Sequence, residues 1–112
     1  MVERITIHVT PEIFELITKA TEYQRRLLIN MGYDPDNMTQ GTYAEEMLPL
    51  WYKFKSDVVD LCGQEVSMFH CLLSEYRGFL EGRLNIELVP EEYILKVRTL
   101  LDLTDSLLEK IS

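Results

Sequence analysis

The feature that most constrains this chain is an apolar repeat in its second half. Apolar residues recur there at alternating spacings of three and four, at Val59, Cys62, Val66, Phe69, Leu73, Tyr76 and Leu80. This spacing places every member on one side of an α-helix and lets the helix pack lengthwise on its neighbours. The repeat therefore predicts one long helix, with Ser56 as its N-cap and Gly82 as its stop. A break near Gly63 is the alternative, because glycine weakens a helix by up to about 1 kcal/mol relative to alanine.

The N-terminus predicts a short strand followed directly by a helix. In the strand, apolar residues alternate with polar ones, namely Ile5, Ile7 and Val9 with Arg4, Thr6 and His8. Thr10 is a natural N-cap, and Pro11 suits the first helical position. Gly32 is typical of the C-terminal stop of such a helix. Its apolar side would consist of Ile13, Ile17, Ala20, Leu27 and Met31.

A second helix and a last helix complete the helical pattern. The second begins at Thr39 or Thr42, and Pro49 either kinks it or marks a shorter helix. Its apolar side would consist of Tyr43, Met47, Leu50, Trp51 and Phe54. The last helix opens at Pro90, and its apolar side would consist of Tyr93, Val97, Leu100, Leu107 and Ile111.

A second strand-like run, Arg83–Leu88, lies just before Pro90. It aligns without gaps on the first strand, since Arg4–Glu12 and Arg83–Glu91 share the order strand, Pro-Glu, helix. Any short strand that enters a helix through proline has this pattern. The alternative is that the two runs pair with each other in a small ribbon.

These patterns predict a mainly α protein, with a short N-terminal strand followed by a helical bundle. At 112 residues, we expect a single domain over 1–112. No apolar run approaches the roughly 18 residues of a membrane span, and the first residues do not form a secretory signal. We therefore expect a cytoplasmic protein without membrane contact.

Cys62 and Cys71 are expected to be small core residues and not to form a disulfide.

The acidic balance bears on possible partners. The net charge is −8, with six Lys/Arg against eight Asp/Glu in residues 1–56 and five against eleven in 57–112. An acidic chain is a poor general binder of nucleic acid, because cationic contacts to phosphate supply much of that affinity. Only the first half could contact DNA.

The sequence offers little for catalysis or for a cofactor. The only histidines are His8 and His70, and neither has a second ligand at metal-binding spacing. There is no Cys-x-x-Cys, no Glu-x-x-His and no glycine-rich phosphate loop. We expect a protein that is not an enzyme and has no catalytic residues, no metal and no cofactor.

The N-terminal half resembles the ribbon–helix–helix family of bacterial, archaeal and phage DNA-binding regulators. The strand Arg4–Val9, the helix from Thr10 and a helix start within Met38–Leu48 carry the resemblance. In that family two chains pair their N-terminal strands into an antiparallel ribbon that enters the major groove. The resemblance therefore implies a homodimer, with 1–55 as its ribbon–helix–helix-like part and 56–112 as an acidic helical extension.

The resemblance also implies particular DNA contacts. The outward strand residues Arg4, Thr6 and His8 would touch base edges, where arginine is the commonest partner of guanine. The second helix start, at Thr39 or Thr42, would face a phosphate with its free N–H groups. The protein would then be a small prokaryotic or phage regulator of transcription, and its acidic C-terminal half could dock a protein partner.

Two functions stay open because the partner of the first strand is open. If Arg4–Val9 pairs with its copy in a second chain, the doubled ribbon suits a palindromic DNA site. If it pairs with Arg83–Leu88, Glu87 joins the same surface, which then suits a protein partner. The alternative function is an acidic helical protein–protein interaction module, such as an inhibitor, adaptor or assembly factor, without DNA binding.

The long repeat generates a test of the core. Phe69 lies in the middle of the repeat, so Phe69→Ala should lower the free energy of unfolding by on the order of 3–5 kcal/mol. That loss is a large share of a typical domain stability of about 5–15 kcal/mol. Thermal and denaturant melting measure it, and an unchanged melting temperature would show that the core lies elsewhere.

Overall fold

A computed structural model describes residues 2–32, 48–84 and 90–111. In chain order its elements are β1 (Arg4–His8), α1 (Pro11–Asn30), α2 (Leu48–Lys53), β2 (Val58–Cys62), α3 (Gln64–Leu84) and α4 (Glu91–Ile111). The protein is mainly helical with a short antiparallel strand pair, so the predicted fold class is confirmed. In these three ranges no helix is both long enough and apolar enough to cross a membrane.

The first strand pairs within its own chain. β1 and β2 form an antiparallel two-stranded sheet in which Arg4 lies opposite Cys62 and His8 lies opposite Val58. The partner on this edge is therefore β2 and not the run Arg83–Leu88, while pairing of β1 with its copy in a second chain stays a prediction for the other edge. β2 lies within the segment for which the apolar repeat predicts a helix.

The predicted long helix is divided at Gly63, which was the alternative. Val59 and Cys62 belong to β2, and α3 begins at Gln64, so Ser56 is not its N-cap. Gly63 has a φ of +58°, a left-handed conformation that favours glycine. This conformation lets β2 turn into α3 without an intervening loop.

The far end of α3 also differs from the prediction. The helix continues to Leu84, so Gly82 lies inside it and is not its stop. A Cβ at Gly82 would meet no atom within 4 Å, so no close contact requires a glycine at this position of the helix. The predicted strand-like run Arg83–Leu88 therefore begins inside a helix, and 85–89 lie outside the described residues.

α1 begins and ends where the sequence predicts. The side-chain oxygen of Thr10 accepts a hydrogen bond from the Ile13 N–H at 3.2 Å, and Pro11 opens the helix. Gly32 follows the helix with a φ of +101°. Met31, predicted on the apolar side, is 74% exposed because the helix has ended before it.

α2 is a short helix that contains Pro49 at its second position. Proline is tolerated in a first turn, because the N–H groups there have no partner within the helix. The indole Nε1 of Trp51 donates a hydrogen bond to Thr18 Oγ1 at 2.9 Å, which ties α2 to α1. The predicted helix starts at Thr39 and Thr42 lie outside the described residues.

The core lies between the inner face of the strand pair and the helices. α3 is central, because it packs against α1, α4 and β2. Phe69 is fully buried, as the repeat predicts. The other large residues with almost no exposed surface are Phe54, Ile7, Leu16, Ile17, Leu61, Val66, Leu72, Leu73, Leu80, Leu107 and Ile111.

Both cysteines are free and exposed, so the prediction that they are core residues was wrong. Cys62 alternates outward in β2 because its neighbour Leu61 turns into the core. Cys71 lies one position before the buried pair Leu72 and Leu73, on the outer side of α3.

The junction at Gly63 generates a test with a built-in control. Gly63→Ala should lower the free energy of unfolding by about 1–2 kcal/mol, because the added Cβ disfavours a left-handed backbone. Gly78→Ala should instead raise it, by up to about 1 kcal/mol, because Gly78 lies inside α3 and a Cβ there meets no atom within 4 Å. Urea unfolding measures both variants. If the two substitutions had the same sign of effect, the strand-to-helix junction at Gly63 would be wrong.

Candidate functional site

The three predicted base-contacting residues lie together on one surface. Arg4, Thr6 and His8 are all exposed on the outer side of β1, as the alternation predicts. Ile7, between them, is buried in the core. The predicted phosphate contacts, Thr39 and Thr42, lie outside the described residues.

β2 contributes half of the same surface. Its exposed residues alternate with buried Val59 and Leu61. The surface, called the ribbon face below, consists of Arg4, Thr6, His8, Val58, Asp60 and Cys62. Sequence reasoning missed its second half, although the period-two pattern of Val59 and Leu61 beside the β-branched Val58 was a signal for a strand.

The ribbon face has no excess of positive charge. Asp60 lies opposite Thr6, and its Oδ1 accepts a hydrogen bond from the Thr6 hydroxyl at 2.5 Å. Arg4 is the one permanent cation among the six residues, and Asp60 balances it. A polyanion therefore meets a face of zero formal charge, with a carboxylate at its centre.

The outer edge of β1 carries backbone groups that have no backbone partner among the described residues. The Val9 N–H donates to the Asp57 carbonyl at 2.8 Å, and the Gly63 N–H donates to the Glu3 carbonyl at 3.0 Å. These two bonds show that the odd-numbered residues of β1 direct their backbone N–H and C=O groups toward β2. The even-numbered residues therefore direct their backbone N–H and C=O groups away from β2, toward the outer edge. Within the described ranges, no backbone group pairs with these outward groups of β1.

One end of that outer edge is closed. The Val2 N–H donates to the Ile111 carbonyl at 3.0 Å, which places the end of α4 beside the start of β1. An added strand could therefore pair along Arg4–His8 but no further toward the N-terminus.

A second surface is a groove between α1 and α3, with a cavity of about 350 Å³. It is called the α1–α3 groove below. Three aromatic side chains form its floor and three cations lie at its rim: Tyr23, Tyr76 and Phe79, and Lys19, Arg26 and Arg83. The ring centroids of Tyr23 and Phe79 are 4.6 Å apart, and the Arg83 guanidinium lies 4.9 Å from the Phe79 ring centroid.

Tyr76 lies at the bottom of this groove and is 4% exposed. Burial raises the pKa of its phenol, and the nearby Tyr93, Glu15 and Glu22 raise that pKa further. The phenol is therefore neutral at physiological pH and acts as an apolar wall with a polar tip.

Metal chemistry finds no support in the part of the chain that the structure describes. There, no three His, Cys, Asp or Glu side chains come together in a group that could hold a metal ion. The two surfaces described above offer hydrogen-bonding groups, charge and apolar surface.

Comparison with known proteins leaves the family undetermined. No protein-family model matches the chain, and no curated protein or solved structure matches it. The ribbon–helix–helix resemblance therefore rests on the residues of the N-terminal half alone and stays a prediction.

The raised pKa of Tyr76 generates a test of stability against pH. Because the folded state disfavours the phenolate, the stability contributed by Tyr76 is complete below the ordinary tyrosine pKa of about 10 and is lost as pH rises through the raised pKa. Stability of the parent should therefore fall more steeply above pH ~10 than that of Tyr76→Phe. Tyr52→Phe is the matched control, since Tyr52 is 56% exposed. Urea unfolding across this pH range measures the slopes; equal slopes for the parent and Tyr76→Phe would contradict the burial of this phenol.

Proposed function

We propose that this chain is a protein-interaction module that accepts a strand of a partner protein along the outer edge of β1. The observation that carries the proposal is the row of outward N–H and C=O groups at Arg4, Thr6 and His8, which have no backbone partner among the described residues. An exposed strand edge binds a further strand through main-chain hydrogen bonds, and alternate side chains supply specificity.

The charge of the ribbon face favours a protein over DNA. Asp60 holds the Thr6 hydroxyl and repels phosphate, so the centre of the face is unsuited to a polyanion. The net charge of −8 adds long-range repulsion. A protein partner meets no such penalty, because a mixed face with one cation and one anion matches a mixed surface.

The side chains along the ribbon offer contacts of different kinds. Val58 is 48% exposed opposite His8 and supplies apolar surface. Arg4 lies at the other end of the strand and suits a carboxylate of the partner. A partner strand at the outer edge of β1 lies beside Arg4, so an acidic residue of the partner fits there, while Val58 on β2 lies one strand further away and takes no part in that pairing.

The edge of β1 is favoured over that of β2. Asp60 lies at the middle of β2, and a charged residue in an edge strand discourages further pairing. At the corresponding position of β1 lies Thr6, an uncharged residue whose hydroxyl is turned toward Asp60. The outer edge of β1 is therefore the better acceptor.

DNA binding of the ribbon–helix–helix type is a second candidate, which the shared exposure of Arg4, Thr6 and His8 favours. The ribbon of that family contains β1 of two chains. Because β2 occupies one edge of β1, the second chain would have to pair along the outer edge. Pairing of this edge with β1 of a second copy would bring two sets of these residues together about a twofold axis. Both functions therefore use the outer edge of β1, and they differ in whether the protein then binds a peptide strand or DNA.

A matched pair of substitutions tests the edge. His8→Pro removes the outward N–H of His8 without touching the bonds to β2, whereas His8→Ala removes the side chain and keeps the N–H. Selection from a displayed random-peptide library should enrich extended peptides that bind the parent and His8→Ala, with binding to His8→Pro weakened about tenfold. Binding curves of the selected peptides measure the difference.

Three further measurements separate the alternatives. Val58→Pro, which alters the outer edge of β2, should leave peptide binding unchanged. If Val58→Pro lost peptide binding and His8→Pro kept it, the site would lie on the edge of β2. Sedimentation equilibrium decides whether the bound strand is β1 of a second copy, since His8→Pro would then dissociate a dimer. Selection from random duplex DNA should enrich nothing. A DNA sequence enriched by the parent and lost with Arg4→Ala would overturn the proposal in favour of DNA binding.

A further inference from the structure

The α1–α3 groove concentrates positive charge in an acidic protein. Its lining contains the cations Lys19, Arg26 and Arg83 and one acid, Glu22, for a local formal charge of +2. Lys19 is paired with Glu15 at 3.2 Å. Among the described residues, no carboxylate lies within salt-bridge distance of Arg26 or Arg83. In the described part of the chain, two guanidinium groups of this groove thus have no carboxylate partner, although the net charge of the whole chain is −8.

The floor of the groove offers ring surface beside that charge. Tyr23 and Phe79 are half-buried, so each exposes part of its ring, and their centroids lie 4.6 Å apart. Tyr76 backs Phe79 with a centroid distance of 5.8 Å. Such a cluster binds a flat ring by stacking or edge contact, and a guanidinium group binds a phosphate through two parallel hydrogen bonds.

The size of the groove suits a small ligand. A cavity of about 350 Å³ lies in the lower part of the range for small-molecule sites, about 300–1,000 Å³. A groove of this size is in the class of sites that hold a small molecule.

We infer that the α1–α3 groove binds a nucleotide, with its base against Tyr23 and Phe79 and its phosphates on Arg26 and Arg83. Glu22 in the lining opposes the phosphates and favours an orientation in which they lie on the guanidinium side. This site is separate from the ribbon face and from the edge of β1, so it can fail or succeed independently of the proposed function.

Calorimetric titration of the full chain tests the site, with ATP, adenosine, inorganic tripolyphosphate and a glutamate-rich peptide that contains tyrosine as separate probes. ATP should bind more tightly than adenosine or tripolyphosphate, since it alone uses both halves of the groove. Arg26→Gln should weaken ATP binding about tenfold or more, because it removes a charge-assisted contact to phosphate. Arg25→Gln is the matched control, because Arg25 is the adjacent exposed arginine outside the lining, and it should change binding less than about twofold.

The aromatic half has its own variant. Phe79→Leu should make ATP bind no better than tripolyphosphate, because the ring contact is lost while the phosphate contacts stay. Arg26 is exposed, so Arg26→Gln leaves the core intact. If Phe79→Leu unfolds the protein, Arg26→Gln still tests the site. Absence of ATP binding at millimolar concentration, or equal losses in Arg25→Gln and Arg26→Gln, would overturn the inference. Binding of the acidic peptide without ATP would overturn it too and would make the groove a protein-docking site.

Discussion

The pairing of β1 with β2 is the constraint on which the rest of the structure depends. It joins two segments more than fifty residues apart, as the hydrogen bond between Thr6 and Asp60 shows. Closing so long a loop costs entropy, but the cost grows only slowly with length. Burial of Ile7, Val59 and Leu61 beneath the strand pair offsets it.

The strand pair also sets the positions of two long helices. Thr10 caps α1 soon after β1 ends, and Gly63 leads from β2 straight into α3. Because both connections are this short, the ends of α1 and α3 that adjoin the ribbon have little freedom to move. The packing of α1 on α3 then brings Tyr23 beside Phe79 and forms the groove with its basic rim.

Charge divides the surface into regions with different chemistry. The ribbon face balances Arg4 against Asp60, whereas the groove keeps Arg26 and Arg83 free of carboxylates in the described part of the chain. On the other side of α3, Arg77 pairs with Glu81 of the same helix and with Asp105 of α4. Net charge alone describes none of these regions, because a partner of contact size responds to local charge within about one Debye length.

Local signals determined much of this protein from the sequence alone. Alternation, capping and helical spacing act between residues close in the chain. They predict the mainly helical class, the strand at Arg4, the Thr10 cap, the stop at Gly32 and the burial of Phe69.

Tertiary structure decided the rest. Residues 58–62 satisfy a helical spacing through Val59 and Cys62 and a strand spacing through Val59 and Leu61, and a segment this short cannot choose between them by periodicity. Pairing with β1 settled the choice, because a strand needs hydrogen-bond partners for its backbone groups and β2 supplies them along one edge of β1. The pairing of β1 with β2 also placed Asp60 and Cys62 on the ribbon face. Half of the candidate site therefore depends on a contact between distant segments, which no local pattern encodes.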